Sequence, residues 1–124
     1  MKGIRKTSVA NTFILDKKNN KQITINGKDI HEYFQNNQRY ITKIVSPLNE
    51  LDIGYSLRIK VTGGGINGQS ESIRYSISRT LANDDLEFKQ RLNKAGFLKC
   101  DTRQVERKKT GLRKARKART FVRR

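Results

Sequence analysis

Few side chains in this sequence could move protons or break bonds. His31 is the single histidine and Cys100 the single cysteine; a Cys–His dyad would need them adjacent in space, and their spacing gives no reason for that. One cysteine also excludes an intrachain disulfide and a multi-cysteine zinc site. The acidic pairs Asp84-Asp85 and Glu50/Asp52 stand where helix caps and loops favour acids, which is weak ground for acid/base work. Tyr33, Tyr40, Tyr55 and Tyr75 could stack on bases, although half-buried positions are commoner for tyrosine. The strongest motif is Gly63-Gly64-Gly65-Ile66-Asn67-Gly68, which satisfies G-x-G-x-x-G between a strand pattern and a helix pattern. Asp85 even falls near the spacing of the acid in a dinucleotide site. That acid should end a second parallel strand, however, and here the loop's helix leads into more helix. No Lys-Ser/Thr follows the loop, so a Walker A reading fails as well. What remains is backbone permissiveness and a helix start whose free N–H groups favour anions. With Arg74 and Arg79 on that helix, the expected occupant is a nucleic-acid phosphate. A glycine turn for tight strand–helix packing is compatible with this.

The charge points the same way. The 124 residues include 28 Lys and Arg against 11 Asp and Glu, a net charge of +17. Residues 1–98 carry 16 basic and 9 acidic groups, whereas residues 99–124 carry 12 and 2, and no acid follows Glu106. Such an excess repels itself in a compact chain and calls for a polyanionic partner. In 107–124 the only apolar residues are Leu112, Ala115, Ala118, Phe121 and Val122, too few to offset an ordering cost of about 1–2 kcal/mol per residue. The segment reads as a tail that its partner orders; a solvated basic helix is the alternative, since Leu112, Ala115, Ala118 and Val122 loosely keep helical spacing. No stretch approaches the roughly 18 apolar residues of a membrane span, and Met1–Lys6 holds no apolar run of the kind a secretory signal needs.

The remaining elements must position these groups. Thr7–Leu15 is rich in β-branched and apolar residues and reads as a strand, with Val9, Phe13 and Leu15 on one parity. Asp16–Asn20 reads as a turn and Gln22–Ile25 as the return strand of a hairpin ended by Asn26-Gly27. Ile30, Tyr33 and Phe34 take helical spacing, and Tyr40, Ile41, Ile44 and Val45 a second short helix stopped by Pro47. Leu57, Ile59 and Val61 alternate with Arg58 and Lys60 in a strand over Ser56–Thr62. A long helix to about Leu81 follows, facing inward through Ile73, Ile77 and Leu81. Asn83-Asp84-Asp85 caps another helix, with Leu86, Leu92 and Ala95 on one side and Gly96 as its stop. A last strand is expected near Thr102–Val105. The order β-β-α-(α)-β-α-α-β, with helices on one face of a sheet, is an α+β domain.

At the glycine loop and the tail the chain resembles the S-nine family of small-subunit ribosomal proteins, in its bacterial or organellar form. The resemblance rests on Arg5-Lys6-Thr7-Ser8-Val9-Ala10; on Gly63–Gln69 followed by Ser72, Ser76, Ser78 and Arg79; and on Lys94-Ala95-Gly96-Phe97-Leu98, Asp101, Arg103, Val105–Lys109, Gly111 and Lys114-Ala115-Arg116. It implies a four-stranded sheet with helices on one face and a left-handed βαβ crossover, a globular body over 1–106, and an extended basic tail over 107–124. It implies a structural, non-enzymatic role in the head of the small subunit, with no cofactor or metal. The implied partners are small-subunit ribosomal RNA, peptidyl-site tRNA and neighbouring head proteins, with no membrane and no homo-oligomer.

By position, the resemblance assigns ribosomal RNA to Arg5, Lys6, Thr7, Gly63, Gly64, Gly65, Gly68, Gln69, Arg74, Arg79 and Arg103. It assigns the same RNA to Arg107, Lys108, Lys109, Arg113, Lys114, Arg116, Lys117 and Arg119 in the tail, and tRNA to Arg123 and Arg124. The tail departs from the family pattern in lacking a proline before Phe121 and in ending Val122-Arg123-Arg124. The extension before Arg5 is short. The bias to Ile, Asn and Lys (12, 10 and 15 residues) fits an A+T-rich genome and favours a plastid or other organelle, or a reduced bacterium. Two rivals of other classes remain: the protein subunit of a tRNA-processing ribonuclease, and a DNA-compacting architectural protein, for which no wedge or ribbon pattern is present.

Overall fold

The computed structural model describes residues 1–123. Five strands, β1 (Lys2–Arg5), β2 (Ser8–Asp16), β3 (Ile23–Ile25), β4 (Lys28–Asp29) and β5 (Ser56–Thr62), form one sheet in the order β1-β2-β5-β3-β4. Four helices accompany them: α1 (Ile30–Tyr33), α2 (Gln38–Glu50), α3 (Ile66–Asp84) and α4 (Leu86–Lys94). The α+β class expected from the sequence holds. The β3–α1–α2–β5 segment is a β-α-β unit whose two strands are parallel neighbours.

The sheet differs from the expected one in three ways. It has five strands rather than four, because Lys2–Arg5 and Lys28–Asp29 both pair. Lys28–Asp29 turns back on β3 through Asn26 and Gly27, both at positive φ, as a two-residue hairpin requires. Second, β3 is not the return strand of β2. Antiparallel β5 takes that edge of β2, and β3 lies beyond it, parallel to β5. Third, Thr102–Val105 forms no strand. Its backbone is held by side chains instead, with Arg103 N–H donating to Asp101 and the Arg103 carbonyl accepting from Arg5.

Pro47 does not stop α2, which runs on to Glu50 with Pro47 buried inside it. A proline leaves the carbonyl four residues earlier without its partner. Here the Ser46 hydroxyl donates to that Lys43 carbonyl at 2.7 Å, so the helix continues. Asn37 caps its start and Asp85 caps α4, each side chain accepting from the N–H two residues on. Gly96, at φ +83°, follows the end of α4 as expected. Of the side expected to face inward on α4, Leu92 is buried, whereas Leu86 and Ala95 are exposed; the helix packs on the core through Leu92 and the half-buried Phe88.

All four helices lie with the core on one face of the sheet. Ile73, Ile77 and Leu81 of α3 are fully buried, as their spacing predicts, against Leu57, Ile59 and Val61 of β5 and Ile25 of β3. The parity of β2 that points at this core is Ser8, Ala10, Thr12 and Ile14, mostly small residues; Phe13 points to the other face, and Leu15 is exposed where the pairing with β5 shifts register. Small residues win inside because α3 approaches β1 and β2 closely. A Cβ on Gly3 would stand 2.5 Å from the Ser76 backbone nitrogen and closer still to the Ser72 carbonyl oxygen. Gly3→Ala is therefore expected to push β1 off α3 and destabilise the protein by about 1–3 kcal/mol, read as a lower denaturant midpoint; an unchanged midpoint would mean that α3 is not seated this tightly.

Candidate nucleic-acid interface

The glycine loop and the β1–β2 turn meet at one end of the sheet. Gly63 and Gly64 sit at φ +72° and +67°, and a Cβ on Gly63 would lie 2.6 Å from the Thr7 carbonyl oxygen. A Cβ on Gly64 would overlap the Ser8 hydroxyl, which itself donates to the Gly63 carbonyl at 2.9 Å. The glycines thus serve tight strand–helix packing, and the loop delivers Gly65 as the N-cap of α3. Lys6, at φ +52°, and Thr7 are exposed beside this loop. Gln69, half-buried, is engaged within the protein, donating to the Gly63 carbonyl and accepting from the Tyr33 hydroxyl.

Arg5 leads the expected RNA-binding residues into a second cluster. Its side chain is only 11% exposed and donates to Glu71 at 2.6 Å and to the Arg103 carbonyl at 2.7 Å, with Asp101 at 3.2 Å. Lys43 donates to the other Glu71 oxygen at 3.2 Å. Burial alone would raise the Glu71 carboxyl, but the hydrogen bonds and charges of Arg5 and Lys43 hold it below its ordinary value. Arg103 takes Asp101 in a fork, its own N–H adding a third bond, and holds that carboxyl well below the usual range, with Arg5 adding to the effect. Arg5 therefore works as a clasp that ties β1 to α3 and to the chain entering the basic segment. Arg74, half-buried, and the exposed Lys99 and Arg103 line the same recess.

Arg74 lies 5.9 Å from the centroid of the Phe97 ring. Arg79 is further along α3, over Tyr75 at 5.8 Å, and donates to the Lys2 carbonyl. The structure thus groups Arg5, Lys6, Thr7, Gly63–Gly65, Gly68, Arg74 and Arg103 at one end and sets Arg79 apart. Residues 107–123 carry no helix or strand. One isolated bridge pairs Leu112 with Ala118, the Arg113 N–H donates to the Lys117 carbonyl at 2.8 Å, and Gly111 at φ +79° opens this turn. Arg116 pairs with Glu106 at 2.6 Å. Arg107, Lys108, Lys109, Arg113, Lys114, Lys117, Arg119 and Arg123 are exposed; Arg124 lies outside the described residues. Residue types and spacing had not singled out Lys43, Glu71 and Asp101 as a group, and the one available signal was a lone acid, Glu71, on an otherwise uncharged turn of α3. Among the described residues no group of acids, His and Cys could hold a metal, and no helix is long and apolar enough to cross a membrane.

The clasp fixes a pH dependence. Because the folded Glu71 carboxyl is held below its ordinary value near 4.5, the stability it contributes is complete above that value and is lost as pH falls through the folded one. Glu71→Gln is expected to lower stability at pH 7 by about 1–3 kcal/mol. The gap to the unmodified protein should narrow on acidification below that ordinary value, as the native carboxyl becomes protonated. Denaturant titrations of both proteins across that range check it, and a gap independent of pH would contradict the assignment.

A family model described as ribosomal protein S9/S16 matches residues 3–124 of the chain.

Proposed function

The chain belongs to the ribosomal protein S9/S16 family, and on that premise we propose that it binds small-subunit ribosomal RNA with two parts of different character, a folded body over 1–106 and a basic tail over 107–124. As a member of that family it has a structural role in the small ribosomal subunit, in association with ribosomal RNA and other ribosomal proteins. The finer reading is that the body docks through phosphate contacts at the end of the sheet where Lys6, Thr7, the glycine loop, Arg74 and Arg103 converge. Phosphate contacts position a protein and carry little sequence information, so what is recognised is RNA shape.

The observation that carries the proposal is the acid-free run after Glu106. Ten of its eighteen residues are Lys or Arg, none of the described ones is in a helix or strand, and the chain leading into it is held to the body at Asp101 and Arg103 through Arg5. A segment this charged gains its order by lying against RNA. Fully extended, it would span about 60 Å at ~3.3 Å per residue, far beyond a small domain's own radius, which supports a reading in which Arg123 and Arg124 meet peptidyl-site tRNA away from the body. The reading includes no catalytic step and no self-association. The Ile, Asn and Lys bias supports an organelle, a plastid before others, or an A+T-rich bacterium as its source.

Deleting residues 107–124 is expected to leave a folded body that no longer incorporates stably into the small subunit. If about six tail cations meet phosphates, the slope of log affinity for small-subunit RNA against log salt should shallow by about 4; normal incorporation with an unaltered slope would refute the division of labour. Deleting Arg123 and Arg124 alone should leave subunits assembled while weakening peptidyl-site tRNA binding several-fold, measured by filter binding across a salt series. Equal tRNA affinity at every salt concentration would count against the terminal contact.

A further inference from the structure

The face of the sheet opposite the helices carries an unusual mixture of residues. Ile4 of β1 and Phe13 of β2 are 45% and 48% exposed there. Cross-strand register places cations among them. Phe13 is paired with Arg58, and Arg58 with Thr24; Asn11 stands between Lys2 and Lys60. Residues directly opposite across a ladder are close enough for side-chain contact, so Phe13 and Arg58 form one continuous surface. β1 and β5 hold no Asp or Glu and β2 only Asp16 at its end; the row through Arg58 and Thr24 ends at the sheet edge on Asp29 of β4, whose side chain is engaged in capping α1. Arg58 and Lys60 stand on β5, the middle strand of the five, not at the rim.

We propose that this open face is a second RNA site, in which Phe13 stacks on an unpaired base while Arg58, Lys60 and Lys2 meet the flanking phosphates. The inference rests on the RNA-binding reading above and adds a surface that neither the glycine loop nor the tail occupies. Two physical arguments favour RNA over a protein partner. Protein interfaces deplete charge at their centres, and burying three unmatched cations under another protein would need acids placed against each of them. A single-stranded nucleotide segment brings both complements at once, a π face for the aromatic ring and phosphates for the cations. Asn11, between the two lysines, can both donate to and accept from a base edge.

The test uses the full chain. Binding to protein-free small-subunit RNA transcript is compared for the unmodified protein, Phe13→Leu and Phe13→Tyr, each of which keeps a strand-compatible apolar side chain on an exposed position. Phe13→Leu, which lacks a π face, is expected to bind roughly 5- to 150-fold more weakly, the range for one lost base stack, with an unchanged salt slope; Phe13→Tyr should bind as the unmodified chain does. In assembled subunits, a photoreactive benzoylphenylalanine in place of Phe13 should cross-link to RNA. Equal affinity of Phe13→Leu and the unmodified chain, or an adduct formed with a protein, overturns the site and leaves the RNA-binding reading standing. Failure of the unmodified chain to bind the transcript overturns both.

Discussion

The close seat of α3 on β1 and β2 is the constraint from which the rest follows. Gly3, Ala10, Ser72 and Ser76 are small enough to let helix and strands approach, and Ser76 adds a hydrogen bond from its hydroxyl to the Met1 carbonyl at 2.7 Å. At that distance Ile73, Ile77 and Leu81 reach the centre of the sheet, and Glu71 falls beside Arg5. The glycine loop is the same constraint met one turn earlier, since Gly63 and Gly64 fold over Thr7 and Ser8 where no Cβ fits. Placing all helices on one side leaves the other side of the sheet open to a partner.

Electrostatics divides the molecule by use. Acids in contact with cations stabilise the body and its junction with the basic segment: Glu71 with Arg5 and Lys43, Asp101 with Arg5 and Arg103, Glu106 with Arg116. All 11 Asp and Glu together do not come near to balancing the 28 Lys and Arg, which leaves a net charge of +17. The remaining cations face outward, at the glycine-loop end, across the open face and along 107–123. Net charge of this size disfavours a compact solitary state and favours association with a polyanion, which is consistent with membership of a ribosomal protein family.

Much of the architecture was legible where periodicity and capping agree. Ser56–Thr62, the buried stripe of α3, Asp85 as a cap and Gly96 as a stop all follow from local chemistry that tertiary contacts leave in place. Strand pairing was not legible, because Ile23–Ile25 follows β2 after a turn-like segment and nothing local says that β5, thirty residues on, comes between them. Pro47 misleads for a different reason: the rescue of its lost hydrogen bond lies in the neighbouring Ser46. Among site residues, Arg5 and Gln69 are polar groups of the right type whose bonds are made within the protein. Their engagement depends on Glu71, Tyr33 and Gly63, which are distant in the chain or were read for other roles. The outward side taken by Phe13 is likewise invisible locally, since it is set by how closely α3 packs on the opposite, small-residue parity of β2.

The central claim is that the cationic end of this chain acquires its order from ribonucleic acid while the body does not need it. Amide hydrogen exchange, followed residue by residue in the free protein and in its complex with small-subunit RNA, tests this directly. The account predicts slow exchange in α3 in both states, and exchange over residues 107–123 that is unprotected in the free chain and protected in the complex. Protection of that segment in the protein alone, or none in the complex, would contradict it.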